Sequence, residues 1–171
     1  MLFRSSGKDA NLLTARKIVR EDGRDMGSMG RLTEVRAEFI ELLLAQGYVP
    51  VISPMGMTDA GETLHLHGDD VAAGVAKAIR ADKLVFLGDA PGVVVSGELA
   101  SEMFPAQLRE LLQNAKIDLA LLTKAQAALI AVEGGVKNVH LIDGRTPHNM
   151  IAELFTDNGV GTVVRAEAPA A

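Results

Sequence analysis

The sequence predicts an α/β protein, a three-layer α/β/α sandwich around a mostly parallel sheet. Three observations point there. Short apolar runs such as "YVPVIS", "KLVFLG" and "NVHLID" alternate with longer segments of helical periodicity, and strands separated by helices of this length imply parallel pairing covered on both faces. The chain has 171 residues, enough for one domain with a true core. Apolar residues make up 48%, which excludes a disordered chain, while aromatics make up only 4%, so the core must be aliphatic.

The elements follow in order. Residues 1–32, charged and glycine-rich, are expected to form a short hairpin and loop. "TEVRAEFIELLLAQG" carries Val35, Phe39, Ile40, Leu42 and Leu43 at helical spacing and stops at Gly47. "YVPVIS" reads as a buried strand, with Pro50 favouring an edge or end position. "MGMTDAGETLHLH" reads as a hairpin turning at "TDAGE". "GDDVAAGVAKAIRA" is an alanine-rich helix whose first turn holds Asp69 and Asp70, where carboxylates complement the helix dipole. "KLVFLGDAPGVV" is a strand entering a turn, "FPAQLRELLQNA" a helix with Pro105 at its first position, and "LLTKAQAALIAVEGG" an amphipathic helix ended by Gly134 and Gly135. "NVHLIDGRTPHNMIAELFTDNGVGTVV" adds a strand, a helix from Pro147 and a last strand. A single domain over 1–171 is expected, with a frayed tail at 166–171.

Composition narrows the function. A net charge of -5 gives no electrostatic case for nucleic acid. The absence of cysteine excludes disulfides, thiol nucleophiles and cysteine-based zinc sites. The N-terminus has no long apolar run, and the most apolar stretch, "IDLALLTKAQAALIAV", is interrupted by Asp118 and Lys124. A soluble cytoplasmic protein is expected, with no membrane partner. Right-handed crossovers would place the loops after strands along one edge, where "HLHGD" and "GDAPG" fall, and a ligand is expected there.

His65, His67 and Asp69 are spaced two apart. On a strand they would share a face, and a strand-borne His-x-His with a carboxylate is a known ligand set. No further ligand lies nearby in sequence, and His140 and His148 are far along the chain. No metal site is therefore expected. Histidines without any ligand rank ahead of that reading.

The segments "SGKDANLLTARK", "GYVPVISPMG", "GVAKAIRADKLVFLGDAPGV" and "AVEGGVKNVHLIDGRTPHNMIAELFTDNGVGTVV" resemble the acetylglutamate kinases of the amino-acid kinase family, from about Ser6 to Arg165. The resemblance implies the nucleotide-binding, carboxyl-terminal lobe of that fold. It also implies ATP-dependent phosphorylation of the side-chain carboxylate of N-acetyl-L-glutamate in arginine biosynthesis, with Mg2+ held mainly by phosphate oxygens. The family's amino-terminal half carries a lysine, glycine-rich phosphate loops and much of the substrate pocket, so this chain alone is expected to be inactive or impaired. A homo-oligomer, or a partner chain covering the other half, is expected in consequence. The alternative is a non-catalytic nucleotide- or arginine-binding module, or a regulatory partner of a full-length kinase.

By the resemblance, Asp69 orients the catalytic lysines and Lys124 contacts the transferring phosphoryl group, which needs positive charge around it. Two glycines usual before that lysine are Leu119 and Ala120 here, and a solvated lysine on an amphipathic helix is the competing reading. Asp89 and Gly92 line the nucleotide turn. His65 and His67 stand where the family has asparagines of the substrate edge, and a neutral imidazole likewise gives one hydrogen bond and takes one. An altered substrate edge is thus the first reading for the pair. His140, Glu153 and Gly159 occupy places that bind arginine in arginine-inhibited members, where a carboxylate meets a guanidinium in a charge-assisted fork. A solvated helix residue is the competing reading of Glu153.

Overall fold

A computed structural model describes residues 1–156 and 159–166, apart from the Ala120 side chain. The expected frayed tail lies outside the described residues except for Ala166. The chain divides into two compact units, Met1–Ile79 and Arg80–Ala171.

The first unit contains β1 (Leu2–Ser6), a 3-10 turn (Asp9–Asn11), β2 (Leu13–Val19), β3 (Asp25–Val35), α1 (Ala37–Ala45), β4 (Val49–Ser53), β5 (Met55–Met57), β6 (Thr63–His65) and α2 (Gly68–Ala78). The opening region is therefore more ordered than a hairpin and loop. β2 and β3 do form a long antiparallel hairpin, but β1 precedes it and pairs in parallel with β4 as a separate two-stranded sheet. β2, β3, β6 and β5 close a small barrel. Leu12, Leu13, Ala15, Ile40, Leu64, Leu66 and Val71 form the core, with Leu32, Val35 and Val75 packed against it. α1 starts four residues later than periodicity suggests, because Thr33 to Val35 are still held in the β3 ladder.

One expectation fails here. "YVPVIS" is not a buried strand: Val49 is 56% and Val51 47% exposed, while Pro50 and Ile52 are half-buried. A strand in a two-stranded sheet hides one face only, so its side chains alternate with period two.

The second unit contains β7 (Lys83–Gly88), a short hairpin of β8 (Val94–Val95) and β9 (Glu98–Leu99), β10 (Glu102–Met103), α3 (Pro105–Gln113), α4 (Leu119–Glu133), β11 (Asn138–Asp143), α5 (Asn149–Phe155) and β12 (Thr162–Arg165). Its four-stranded sheet runs β10-β12-β11-β7, with β7 parallel to β11 and β11 antiparallel to β12. β11 is buried almost throughout. α4 packs on this sheet through Leu121, Ala125, Ala128, Ala131 and Val132, all buried, and alanines let helix and sheet approach closely.

The caps follow the sequence signals. Pro105 opens α3, and the Gln107 Oε1 accepts the Phe104 N–H at 2.9 Å. α4 ends where Gly135 takes a positive φ of 101°, with the Val136 N–H bonding back to Ala131 O at 3.1 Å. The chain is thus mixed α/β with parallel pairings, but its strands are distributed over separate sheets rather than one continuous parallel sheet. No helix among the described residues is long and apolar enough to cross a membrane.

Candidate functional site

In the second unit, polar side chains gather at the carboxyl ends of β7 and β11. These strands run in parallel register, Asn138 beside Lys83 through Asp143 beside Gly88, so their ends open at the same level. Such an end is where ligands collect in parallel α/β sheets. Gly144 N–H donates to Gly88 O at 2.8 Å and joins the two loops. Gly88 leaves room for Lys124 from α4: a Cβ there would lie 3.4 Å from the Lys124 Cδ and 3.5 Å from its Cε. The lysine is half-buried, so it is not the fully solvated residue of an amphipathic helix face.

Asp89 begins the turn and is exposed. Gly92 holds it against β12, where a Cβ would lie 2.6 Å from the Thr162 Oγ1 and 3.0 Å from the Thr162 N, and its φ of 142° suits glycine. Val93 N–H donates to the buried Thr162 Oγ1 at 2.8 Å. Beside the turn is a cavity of about 90 Å3 lined by Ala90 to Val94 with Ile117, Asp118 and Leu121. That is a corner rather than a whole pocket, since small-molecule sites run to roughly 300–1,000 Å3.

Two residues here were missed in the sequence. Asp143 accepts three hydrogen bonds from Arg145: backbone N–H at 2.9 Å, Nε at 2.9 Å and Nη2 at 2.7 Å. The Arg145 side-chain and backbone bonds hold the Asp143 carboxyl down to about 2. Asp143, and more weakly the Asp89 charge, holds the Arg145 guanidinium above its ordinary value. The strand-then-"DGR" pattern could have signalled this loop, since Asp–Gly after an apolar run marks a turn.

The first unit holds Asp69, His65 and His67. They do not share one strand face, because β6 ends at His65. His67 is the extended residue before α2, and Asp69 lies in the helix's first turn. The His67 Nδ1 and Asp69 Oδ2 are 3.9 Å apart, with the Asp69 side chain only 13% exposed. His65 stays on the outward face of the barrel, exposed, opposite the buried Leu64. Among the described residues, no group of three His, Asp or Glu side chains is placed to hold a metal ion.

A third cluster joins β11, α5 and the start of β12. His140 and Glu153 are both 8% exposed, so Glu153 is not a solvated helix residue. Their Nδ1 and Oε1 atoms are 2.7 Å apart, and the Glu153 Oε2 accepts the N–H groups of Val160 at 2.7 Å and Gly161 at 3.1 Å. Gly159 completes the group, since a Cβ there would come within 2.9 Å of that oxygen. Burial pushes the Glu153 carboxyl up, but the His140 and amide hydrogen bonds outweigh it and hold it below its ordinary value. The structure brings all three sequence-derived residues together.

Comparison with known proteins bears on the family and the fold. The amino acid kinase family matches residues 1–143. Acetylglutamate kinase from Carboxydothermus hydrogenoformans is 39% identical over 170 residues, covering 93% of this chain and 58% of the relative. The one from Desulforamulus reducens is 37% identical over 163 residues, covering 93% and 57%. N-acetylglutamate synthase from Neisseria gonorrhoeae, complexed with coenzyme A and N-acetyl-glutamate, superposes with a TM-score of 0.85 at 32% identity, covering 96% of this chain and 38% of that one. Carbamate kinase from Giardia lamblia bound to AMP-PNP, at 17% identity and a TM-score of 0.67, shares the fold. The chain spans little more than half the length of the curated relatives it matches. With the match running through the barrel, the β7 turn and β11, this chain belongs to the amino acid kinase family.

Proposed function

We propose that the chain binds ATP at the β7 and β11 strand ends and contributes one part of an acetylglutamate kinase site. The observation that carries this reading is the Lys124 stem lying over Gly88, where the Asp89-to-Gly92 turn leaves the sheet. A lysine held by a strand end has the position and charge to neutralise a transferring phosphoryl group. In the reaction the γ-phosphoryl passes from ATP to the side-chain carboxylate of N-acetyl-L-glutamate, leaving an acyl phosphate and ADP. Lys124 stabilises the spreading charge, Asp69 positions cationic groups, Asp89 and Gly92 line the nucleotide, and His65 and His67 form a substrate edge. Mg2+ bound with the nucleotide would be held mainly by phosphate oxygens and would supply charge neutralisation beside Lys124.

The small cavity beside the turn does not enclose a nucleotide by itself, which supports incomplete catalysis by this chain alone. The remaining phosphate-binding groups come from outside these 171 residues, on further segments of a longer chain, a second polypeptide or a second copy. Calorimetry with MgATP tests the binding step. Lys124→Ala should weaken ATP binding at least tenfold, and absence of ATP binding by the unaltered chain would refute the reading. Hydroxamate trapping with acetylglutamate tests the second step: acyl phosphate formation by the isolated chain would show that it needs no other half.

A second reading is favoured by the His140–Glu153–Gly159 cluster. The gonococcal synthase has also been solved complexed with coenzyme A and L-arginine. We propose that arginine binds here by sharing the Glu153 carboxylate with the Val160 and Gly161 amides, which would make the module regulatory. Arginine calorimetry on the chain and on Glu153→Gln decides this, since unchanged binding in the variant would place arginine elsewhere.

A further inference from the structure

The barrel register places two methionines beside His65, neither of which is near it in the sequence. In the β5–β6 ladder Met55 is the partner of His65, and in the β3–β6 ladder Met29 is the partner of the same residue. Met29, His65 and Met55 therefore form one row across three adjacent strands. Directly paired residues lie on the same face, with Cβ atoms about 4.5–5.5 Å apart.

Independent geometry fixes that face as the outer one. A Cβ on Gly30 would meet the Leu64 Cβ at 2.7 Å, and one on Gly56 would meet the Ala15 Cβ and Leu66 Cδ1 at 2.9 Å. Gly30, Gly56 and Leu64 thus point into the barrel, so Met29, Met55 and His65, one position away on each strand, point out. Both methionines are half-buried and His65 is exposed. A neighbouring strand lies about 4.8 Å away on each side of β6. Methionine is unbranched and has three rotatable bonds, so both thioethers can lean from the flanking strands over the central ring.

We propose that Met29, His65 and Met55 form a binding site for a soft monovalent d10 cation, Cu(I), coordinated by two thioether sulfurs and one imidazole nitrogen. The donor set decides the metal. Thioethers are neutral and polarizable and select Cu(I), whereas zinc takes thiolate, imidazole or carboxylate and magnesium takes oxygen. The histidine–carboxylate pair of this segment, His67 with Asp69 at 3.9 Å, lies beyond the strand and off this row. A three-coordinate site needs no rearrangement of the backbone, because the ladder already sets the ligand spacing.

The inference stands on the β3–β6–β5 register and not on the kinase reading. It does use His65, which that reading places at the substrate edge, so metal and acyl-amino acid would exclude one another at this residue.

Anaerobic titration with Cu(I) against a chromogenic chelator such as bathocuproine disulfonate tests the site. The unaltered chain should take up one Cu(I) with high affinity. Met29→Leu, Met55→Leu and His65→Asn should each lower that affinity at least tenfold, and the Met29→Leu/Met55→Leu pair should abolish the site. Met26→Leu, on the same strand but outside the row, should leave it intact. In the unaltered protein, Ag(I) should move the methyl resonances of Met29 and Met55 together with the His65 ring, a readout independent of any variant's folding. Equimolar Zn(II) should not displace Cu(I). Uptake unaffected by the double variant, Ag(I) shifts confined to Met1 or Met26, or displacement by Zn(II) would each overturn the proposal.

Discussion

Replacing Glu153 by glutamine keeps the volume of the side chain and removes only its charge and one acceptor, so no cavity contributes to the outcome. The carboxylate now serves three donors at once, His140 Nδ1 and Gly161 N–H, both buried, and the half-buried Val160 N–H. A glutamine oxygen can face either His140 or the two amides. If it faces His140, the glutamine NH2 opposes two N–H groups, of which the Gly161 one is buried. If it faces the amides, His140 Nδ1 must accept, and the ring proton moves to Nε2, which is buried with no hydrogen-bond partner among the described residues. Either arrangement strands at least one buried donor, at about 1–3 kcal/mol each, and loses charge-assisted bonding as well. A loss of about 2–4 kcal/mol at pH 7 is expected, equivalent to a fall of about 4–16 °C in Tm for a chain of this length.

The pH dependence has a fixed sign. Burial raises the Glu153 carboxyl, but the His140 and backbone hydrogen bonds together leave it below its ordinary 4.5 in the folded protein. Its contribution is therefore fully present above that ordinary value and is lost as pH falls through the lower folded value. The gap between the original chain and Glu153→Gln should accordingly be constant near neutrality and shrink on acidification below about 4.5. Urea or thermal unfolding followed between pH 3 and 7 measures both quantities. A Tm within 1 °C of the original at pH 7 would refute the account of Glu153 as a three-donor anchor.

Three further outcomes are expected. Thr162→Val removes the acceptor of the buried Val93 N–H and should cost about 1–3 kcal/mol in unfolding experiments; because it loosens the Gly92 turn, it should also weaken ATP binding in calorimetry. Leu64→Ala, at a fully buried barrel position, should cost about 2–5 kcal/mol, read as a lower urea midpoint. The Asp143 carboxyl should titrate near 2 by NMR, its ion pair with Arg145 persisting until pH falls through that value, and Arg145→Ala should return the carboxyl toward 3.8.

Much of the fold was legible because the local signals agreed with one another. The β5–β6 hairpin, Pro105 at the head of α3 and Gly135 beyond α4 appear where turn and cap chemistry placed them. What was not legible depended on pairing partners. "YVPVIS" has the composition of a buried strand, yet its burial was settled by its having β1 alone beside it in a two-stranded sheet. Glu153 has the sequence surroundings of a surface helix residue, but the α5-to-β12 connection folds two amides onto it. Arg145 escaped notice because its role arises from Asp143, two residues away, once the β11 end turns.

Side-chain types, turn residues and the alternation of apolar segments were sufficient to determine that this chain is α/β, while Asp69, Asp89, Lys124 and Glu153 were singled out by the motifs that resemble the acetylglutamate kinases. Those properties are local, and a linear chain states them directly. Which residues share a face could be decided only by strand register, since neighbours across a ladder are distant in sequence. Met29 and Met55 flank His65 for that reason, while His67, two residues from it in the chain, has left the strand.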